Sequence, residues 1–141
     1  MEAVRQLHDH LGISHGDLKL ENVVVSRDMY TLKLIDFAFS EKVGVPLHQA
    51  KGTEQYIAPE QLMALLVNKK HSLIYFESAK ADVYSLGIFL FTLFFGMPPF
   101  KFNSPEHELV QMLGSGDPKL LECFFSNHPV TKVFNDQGLI P

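Results

Sequence analysis

Two short apolar runs joined by a polar turn constrain the fold of this chain more than any other feature. Residues 23–25 read Val-Val-Val and residues 32–35 read Leu-Lys-Leu-Ile, with Ser, Arg and Asp in the turn that follows the first run. This pattern is typical of a β-hairpin, whose two ends lie close together in space. Asp17 and Asn22 precede the first run, and Asp36 follows the second. We therefore expect two carboxylates and an amide to converge, a set that suits divalent-metal binding and the orientation of a hydroxyl group.

Four sequence motifs follow one another along the chain, and they are His15-Gly16-Asp17-Leu18-Lys19-Leu20-Glu21-Asn22, Asp36-Phe37-Ala38, Gly52-Thr53-Glu54-Gln55-Tyr56-Ile57-Ala58-Pro59-Glu60 and Asp82-Val83-Tyr84-Ser85-Leu86-Gly87. In this order and at this spacing they resemble four parts of a eukaryotic protein kinase. These parts are the catalytic loop, the metal-binding motif, the end of the activation segment and the start of the long central helix. The resemblance covers nearly the whole chain.

The resemblance implies a role for each polar residue of the first two motifs. Asp17 would act as base or orienter for the acceptor hydroxyl, and Lys19 would steady the transferred phosphoryl group. Asn22 and Asp36 would hold Mg²⁺, so the implied cofactors are Mg²⁺ and ATP. Considered alone, Asp17 would be interpreted as an aspartate that caps a turn, and Lys19 as a solvated surface lysine. The four motifs together favour the catalytic interpretation.

The third motif implies a protein substrate. Thr53 is expected to contact Lys19 and Asp17, while Tyr56 and Pro59 would shape the pocket for the residue after the phosphoacceptor. A lysine two residues after the aspartate, with Gly-Thr in the third motif, resembles the serine/threonine branch of the family rather than the tyrosine branch.

Four further residues are expected to support the site without taking part in the chemistry, and they are His15, Phe37, Glu60 and Asp82. Asp82 lies near the start of a predicted helix, where a carboxylate can accept backbone N–H groups. In the family the equivalent residue steadies the backbone of the catalytic loop. The family pairs the equivalent of Glu60 with a later arginine, but Arg5 and Arg27 both precede Glu60 here. A buried carboxylate without a partner would be costly.

Two residues depart from the family pattern. Gly16 stands where the family usually has an arginine that binds the phosphate of a phosphorylated activation loop, so control by that route is not expected. Ala38 replaces a glycine, and alanine reaches fewer backbone conformations.

Composition narrows the class of protein further. The 141 residues suffice for one domain, and the formal net charge of −4 comes without a block of lysine or arginine. We therefore expect neither a nucleic-acid nor a membrane partner. Cys123 is the only cysteine, and the first twenty residues lack the apolar core of a signal peptide. These features favour a reducing, cytoplasmic location.

The pattern of apolar residues predicts a mainly α fold with short β-hairpins, as in the C-terminal lobe of a kinase. Helices are expected over residues 1–11, with His8 and His10 on a solvated face, over residues 61–67, and from residue 79 or 80 to about 95. That third helix includes the apolar run 86–95, which is too short to cross a membrane and is expected to be buried on all sides. Two more helices are expected after Ser104-Pro105 and Asp117-Pro118, a mobile loop over 39–51, and a loop-like insertion over 68–79 that contains Lys69, Lys70 and His71.

The chain is interpreted as a partial protein kinase domain over residues 1–141, truncated at both ends. The N-terminal lobe, with its glycine-rich loop and strand lysine, and the last helices of the family are not expected within it. Apolar surface on Leu86, Ile88, Phe91 and Phe95 would then be open to a partner. The predicted function is ATP-dependent phosphoryl transfer to protein hydroxyls in a full-length form. The alternative is a catalytically inactive kinase-like binding or scaffold module.

Overall fold

The computed structural model describes residues 2–68, 75–99 and 117–136. The α-helices of these residues are α1 (Glu2–Arg5), α2 (Pro59–Asn68), α3 (Ser78–Phe95), α4 (Pro118–Asn127) and α5 (Pro129–Asp136). A π-helical turn over Gln6–His10 continues α1, and a 3₁₀ turn covers Leu20–Asn22. The strands are β1 (Ile13–Ser14), β2 (Val23–Val25), β3 (Leu32–Leu34), β4 (Glu41–Lys42), β5 (Pro46–Leu47) and β6 (Phe76–Glu77).

The predicted hairpin is confirmed. β2 and β3 pair antiparallel with Val23 opposite Leu34, as the two apolar runs required. The backbone N–H of Ile35 donates to the carbonyl of Asn22 at 3.0 Å, so the pairing continues past both strands. This last bond places Asn22 directly beside the residue that precedes Asp36.

The segment between the hairpin and α2 is more ordered than the sequence predicted. β4 pairs antiparallel with β1, and β5 pairs antiparallel with β6, which leads into α3. The expectation that residues 39–51 form a loop throughout is therefore wrong for residues 41–42 and 46–47. The two strands could not be predicted from the sequence, because a strand of two residues is too short to show the alternation of apolar and polar residues that marks a strand.

The first predicted helix is confirmed in type, with Val4 and Leu7 buried and Gly12 ending it at a φ of +65°. α4 is also confirmed, because Asp117 caps it by accepting the backbone N–H of Lys119 at 2.9 Å. The helix expected after Ser104-Pro105 and the basic triplet at 69–71 lie outside the described residues.

α3 is the long apolar helix that the sequence predicted, but it is not buried on all sides. Its buried residues, which lie three or four apart on one stripe, are Ser78, Ala81, Asp82, Ser85 and Ile88. Val83 and Phe94 are 61% and 63% exposed, so the opposite face is both apolar and open. The run 86–95 is apolar except for Gly87 and Thr92, and such a run is typical of a helix buried on all sides, so its open face could not be predicted from the sequence.

The prediction that Leu86, Ile88, Phe91 and Phe95 are partly exposed is confirmed for three of these four residues. Ile88 is buried, while Leu86, Phe91 and Phe95 are half-buried.

By length and composition α3 is the one helix among the described residues that could cross a membrane, with 28% of its 18 residues buried. A core helix passes the same test, so this observation is weak evidence for a membrane span.

Two small apolar clusters connect α3 to the segment that precedes α2. Ala58 and Ala64 pack with Phe76 and Ala81, and Tyr56 packs on Ile88. The buried stripe of α3 thereby fixes the position of residues 56–58, which belong to the third sequence motif.

Candidate functional site

Asp17 lies at the centre of a hydrogen-bond network and is only 6% exposed. Its Oδ1 accepts bonds from both the backbone N–H and the hydroxyl of Thr53, each at 2.8 Å. Its Oδ2 accepts from Lys19 Nζ at 2.7 Å and from Asn22 Nδ2 at 3.2 Å. Three of the predicted site residues therefore surround the fourth.

The charge states of this network follow from its contacts. Burial on its own would raise the pKa of Asp17, but hydrogen bonds from Lys19 and Thr53 outweigh burial and lower it. The hydrogen bond to Asp17 raises the pKa of Lys19. Both groups are ionised at neutral pH as a result. Lys19 also donates to the Thr53 hydroxyl at 2.7 Å, so this hydroxyl bridges the ion pair.

Asn22 and Asp36 supply the oxygen atoms that could bind a divalent cation. Asn22 Nδ2 also donates to the Asp17 carbonyl at 2.8 Å, so the amide nitrogen is committed and Oδ1 remains as its ligand atom. Asp36 is exposed in the left-handed region, with a φ of +63°, and its negative charge acts on Lys19. Two hard oxygen donors fit Mg²⁺, which keeps several waters and takes few protein ligands. The described residues contain no cluster of three or more His, Cys, Asp or Glu suited to a metal, so phosphate and water oxygens would have to complete the coordination.

His15 connects the two ends of the hairpin through both ring nitrogens. Nε2 lies 3.0 Å from the Ile35 carbonyl, and Nδ1 lies 3.3 Å from the Asp17 backbone nitrogen. These partners assign the proton to Nε2, because Nδ1 faces a donor. The fully buried ring also contacts Phe37, with centroids 4.9 Å apart. His15 thus aligns the carbonyl before Asp36 with the backbone of Asp17.

Asp82, in α3, holds the backbone of the same loop in place. It lies one turn inside α3 and is 2% exposed, so it is not the N-terminal cap that its sequence position suggested. Its two carboxylate oxygens accept the backbone N–H groups of His15 at 2.7 Å and Gly16 at 2.9 Å. His8 Nε2 lies 2.8 Å from the same carboxylate, so the expectation of a solvated face is wrong for His8.

Two glycines make a close crossing of the loop and the following segment possible. Gly16 has a φ of +81°, and a Cβ atom there would lie 2.2 Å from the carbonyl oxygen of Phe39. Gly52 has a φ of +109°, and its Cβ would lie 2.8 Å from the Gly16 carbonyl oxygen. Any side chain at either position would force the backbones apart. At residue 16 the fold described here therefore accommodates glycine, whereas an arginine would clash with the Phe39 carbonyl.

The remaining residues predicted for the substrate pocket lie beside this network. Tyr56 is buried, and its carbonyl accepts the Ser85 hydroxyl at 2.7 Å. Pro59 begins α2. Glu60 is half-buried rather than buried, and among the described residues it forms no ion pair, so its desolvation is milder than the sequence suggested. Burial, and after it the charge of Glu60, raises the pKa of Tyr84.

Sequence analysis missed three side chains that hold this region together. They are His8 on Asp82, Ser85 on the Tyr56 carbonyl, and Gln61, whose Oε1 accepts the Ala58 N–H at 3.0 Å. For Ser85 a signal was present, because a serine three residues after Asp82 lies on the same face of an otherwise apolar helix. A buried polar residue of this kind needs a partner.

Comparison with known proteins agrees with the geometry. The model of the protein kinase domain family matches residues 1–123. The chain is 41% identical over 101 residues to cGMP-dependent protein kinase 2 of Rattus norvegicus, which covers 70% of the chain and 12% of that protein. It is 36% identical over 118 residues to CBL-interacting protein kinase 5 of Oryza sativa subsp. japonica, and this match covers 80% of the chain and 23% of that protein.

Human serine/threonine-protein kinase DCLK3 is 34% identical over 132 residues, 89% of the chain and 18% of the relative. The chain thus spans less than a quarter of the length of each of these three proteins. The family model nevertheless covers most of the chain, and the relatives include proteins named as serine/threonine kinases. The chain belongs to the eukaryotic protein kinase family.

Proposed function

We propose that this chain forms the C-terminal lobe of a serine/threonine protein kinase and carries the residues that transfer a phosphoryl group from ATP to a protein hydroxyl. One observation carries the proposal. The Asp17 carboxylate accepts hydrogen bonds from Lys19, Asn22 and the Thr53 hydroxyl, at 2.7–3.2 Å. Chemistry of this kind depends on positioned charges and hydrogen bonds rather than on covalent catalysis by the protein.

Asp17 would orient the acceptor hydroxyl. The Thr53 hydroxyl already donates to Asp17 Oδ1 at 2.8 Å, which illustrates how this carboxylate holds an alcohol. The lowered pKa of Asp17 keeps it ionised and makes it a weak base. A weak base suits a group that aligns a hydroxyl and receives its proton only late in the transfer.

Lys19 would act on the developing negative charge. Its ammonium group lies between the Asp17 carboxylate and the Thr53 hydroxyl, and the Asp36 charge also acts on it. Asn22 Oδ1 and the Asp36 carboxylate would hold Mg²⁺, which supplies charge neutralisation for the phosphates of ATP when it is bound. The protein side of the site then consists of one orienting carboxylate, one cation and two metal-binding oxygens.

The proposal extends to a protein substrate beside Thr53, Tyr56 and Pro59 and to a cytoplasmic location. Cys123 supports the location, because it is a free, exposed thiol, which is typical of reducing compartments. The net charge of −4 supports the expectation that nucleic acid is not a partner. The open apolar face of α3 around Val83 and Phe94 supports a further protein contact.

The test is phosphoryl transfer to a serine-containing protein substrate by the full protein that carries this chain. Asp17→Asn should lower transfer at least a hundredfold, because general acid–base and orienting groups contribute about 10²–10⁴ in rate. Asp9→Asn, which changes an exposed aspartate of the first helix, is the matched control and should keep full activity. If Asp17→Asn transferred phosphate like the wild type, the catalytic proposal would fail. The alternative, a non-catalytic binding or scaffold module, would then replace it.

A further inference from the structure

We propose that an ion pair between Lys51 and Glu41, rather than a phosphate, holds the segment that positions Thr53 against Asp17. This inference rests on the proposed phosphoryl transfer and adds the means by which its active geometry is kept. The segment concerned runs over residues 40–53. It begins after the Asp36 motif and ends at the residue whose N–H and hydroxyl both bind Asp17.

The segment can neither carry nor bind a regulatory phosphate in the usual way. Residues 41–52 contain no serine, threonine or tyrosine. The two hydroxyl residues that bound them are already engaged, since Ser40 lies half-buried against the His15 carbonyl and Thr53 binds Asp17 and Lys19. Gly16 offers no side chain to a phosphate. A different interaction must therefore hold the segment.

The Lys51–Glu41 pair meets this requirement. Lys51 Nζ lies 2.6 Å from Glu41 Oε1, and this bond joins residues that are ten positions apart in the sequence. Lys51 directly precedes Gly52, whose backbone lies against that of Gly16, and Thr53 follows. Glu41 belongs to β4, which pairs with β1 just before the catalytic-type loop. The ion pair thus connects the strand at the start of the segment with the residues at its end.

Strand pairing within the loop supports the ion pair. β5 lies between Glu41 and Lys51 and pairs with β6, which leads directly into α3. Both ends and the middle of the segment are therefore tied to elements that also hold Asp82 and the catalytic-type loop. We call the Lys51–Glu41 pair together with the β5–β6 pairing the activation latch.

The expected effect of the ion pair is modest. Its side chains are 41% and 32% exposed, and half-exposed ion pairs shift an equilibrium by up to roughly fivefold. Salt screens such pairs, so their effect falls as ionic strength rises. The latch should bias the segment toward the arrangement described here and should do so less strongly in high salt.

The test uses four variants of the full protein: Lys51→Met, Glu41→Gln, the charge swap Glu41→Lys with Lys51→Glu, and Lys42→Met. Lys42 is exposed on the same strand and forms no ion pair among the described residues, so Lys42→Met is the control. Two quantities are measured at low and high salt. They are kcat/KM for a protein substrate and the amide hydrogen exchange of residues 43–53.

If the latch operates, each single variant loses about three- to fivefold in kcat/KM at low salt and exchanges faster over residues 43–53. The charge swap restores both quantities, Lys42→Met changes neither, and phosphatase treatment of the wild type leaves activity unchanged. Wild-type exchange in both single variants, or a swap no better than the singles, would overturn the proposal. Because exchange is measured without substrate, the latch is tested even if Asp17→Asn shows the proposed phosphoryl transfer to be wrong.

Discussion

Removing the Asp82 carboxylate should destabilise the fold, because this buried group accepts two backbone N–H groups of the loop. Asp82 is 2% exposed, and its oxygens are the acceptors for the backbone N–H groups of His15 and Gly16. In Asp82→Ala both N–H groups lose their partner inside the protein. The side-chain partner of His8 is lost as well.

The magnitude follows from these orphaned donors. A buried donor left without an acceptor costs about 1–3 kcal/mol. Water can reach the new space in part, and removing a buried charge returns some desolvation energy. We therefore expect Asp82→Ala to lower the free energy of unfolding by about 3 kcal/mol. Asp82→Asn keeps one acceptor oxygen and should lose about half as much.

The assay is equilibrium urea unfolding followed by far-UV circular dichroism. The free energies of unfolding of wild type and variants are compared if the dependence of free energy on urea concentration has the same slope in each. Val83→Ala is the matched control, because Val83 is the next residue of α3 and is 61% exposed. It should change stability by less than about 0.5 kcal/mol. A loss below about 1 kcal/mol for Asp82→Ala, or an equal loss in the control, would show that the loop does not depend on this carboxylate.

Two further predictions concern the loop that Asp82 supports. Gly16→Ala should destabilise the protein more than Gly44→Ala, as measured by thermal unfolding. Both glycines have φ near +80°, a backbone conformation that costs alanine about 1–2 kcal/mol. Of the two, only Gly16 lies where the new Cβ would clash with a backbone atom. Equal losses would show that the close approach to Phe39 relaxes freely. The lowered pKa of Asp17 means that its ionised form stabilises the fold fully above its unfolded pKa of about 3.9, and that this contribution is lost as pH falls through the folded value. The difference in stability between wild type and Asp17→Asn should therefore shrink below about pH 4, and a difference that stayed constant down to pH 2 would contradict the assignment.

The hairpin and the helices could be predicted because their signals are local. Two β-rich runs around a polar turn predicted β2 and β3, and the apolar periodicity of residues 4 and 7 predicted the first helix. The convergence of Asp17, Lys19, Asn22 and Thr53 could be predicted from motif order, since the motifs imply a fold that the local pattern alone does not.

Long-range polar contacts could not be predicted in the same way. His8 and Asp82 are 74 residues apart in sequence, and Lys51 reaches Glu41 across a loop whose composition suggested mobility. Neither pair has a periodicity or a spacing that marks it. The open face of α3 was missed for a related reason, because a uniformly apolar helix does not reveal which side it buries.

The close crossing at Gly16 also limits which residues this position can accommodate. A lone replacement of Gly16 by arginine would drive a Cβ into the Phe39 carbonyl and require the crossing at Gly52 to open. An arginine at position 16 would thus need compensating changes in the neighbouring segment, and a phosphate for it to bind would need a hydroxyl residue within residues 41–52. The new Cβ alone brings this steric cost, whatever the rest of the side chain contacts. Glycine is therefore the residue that the present path of the two segments requires at position 16.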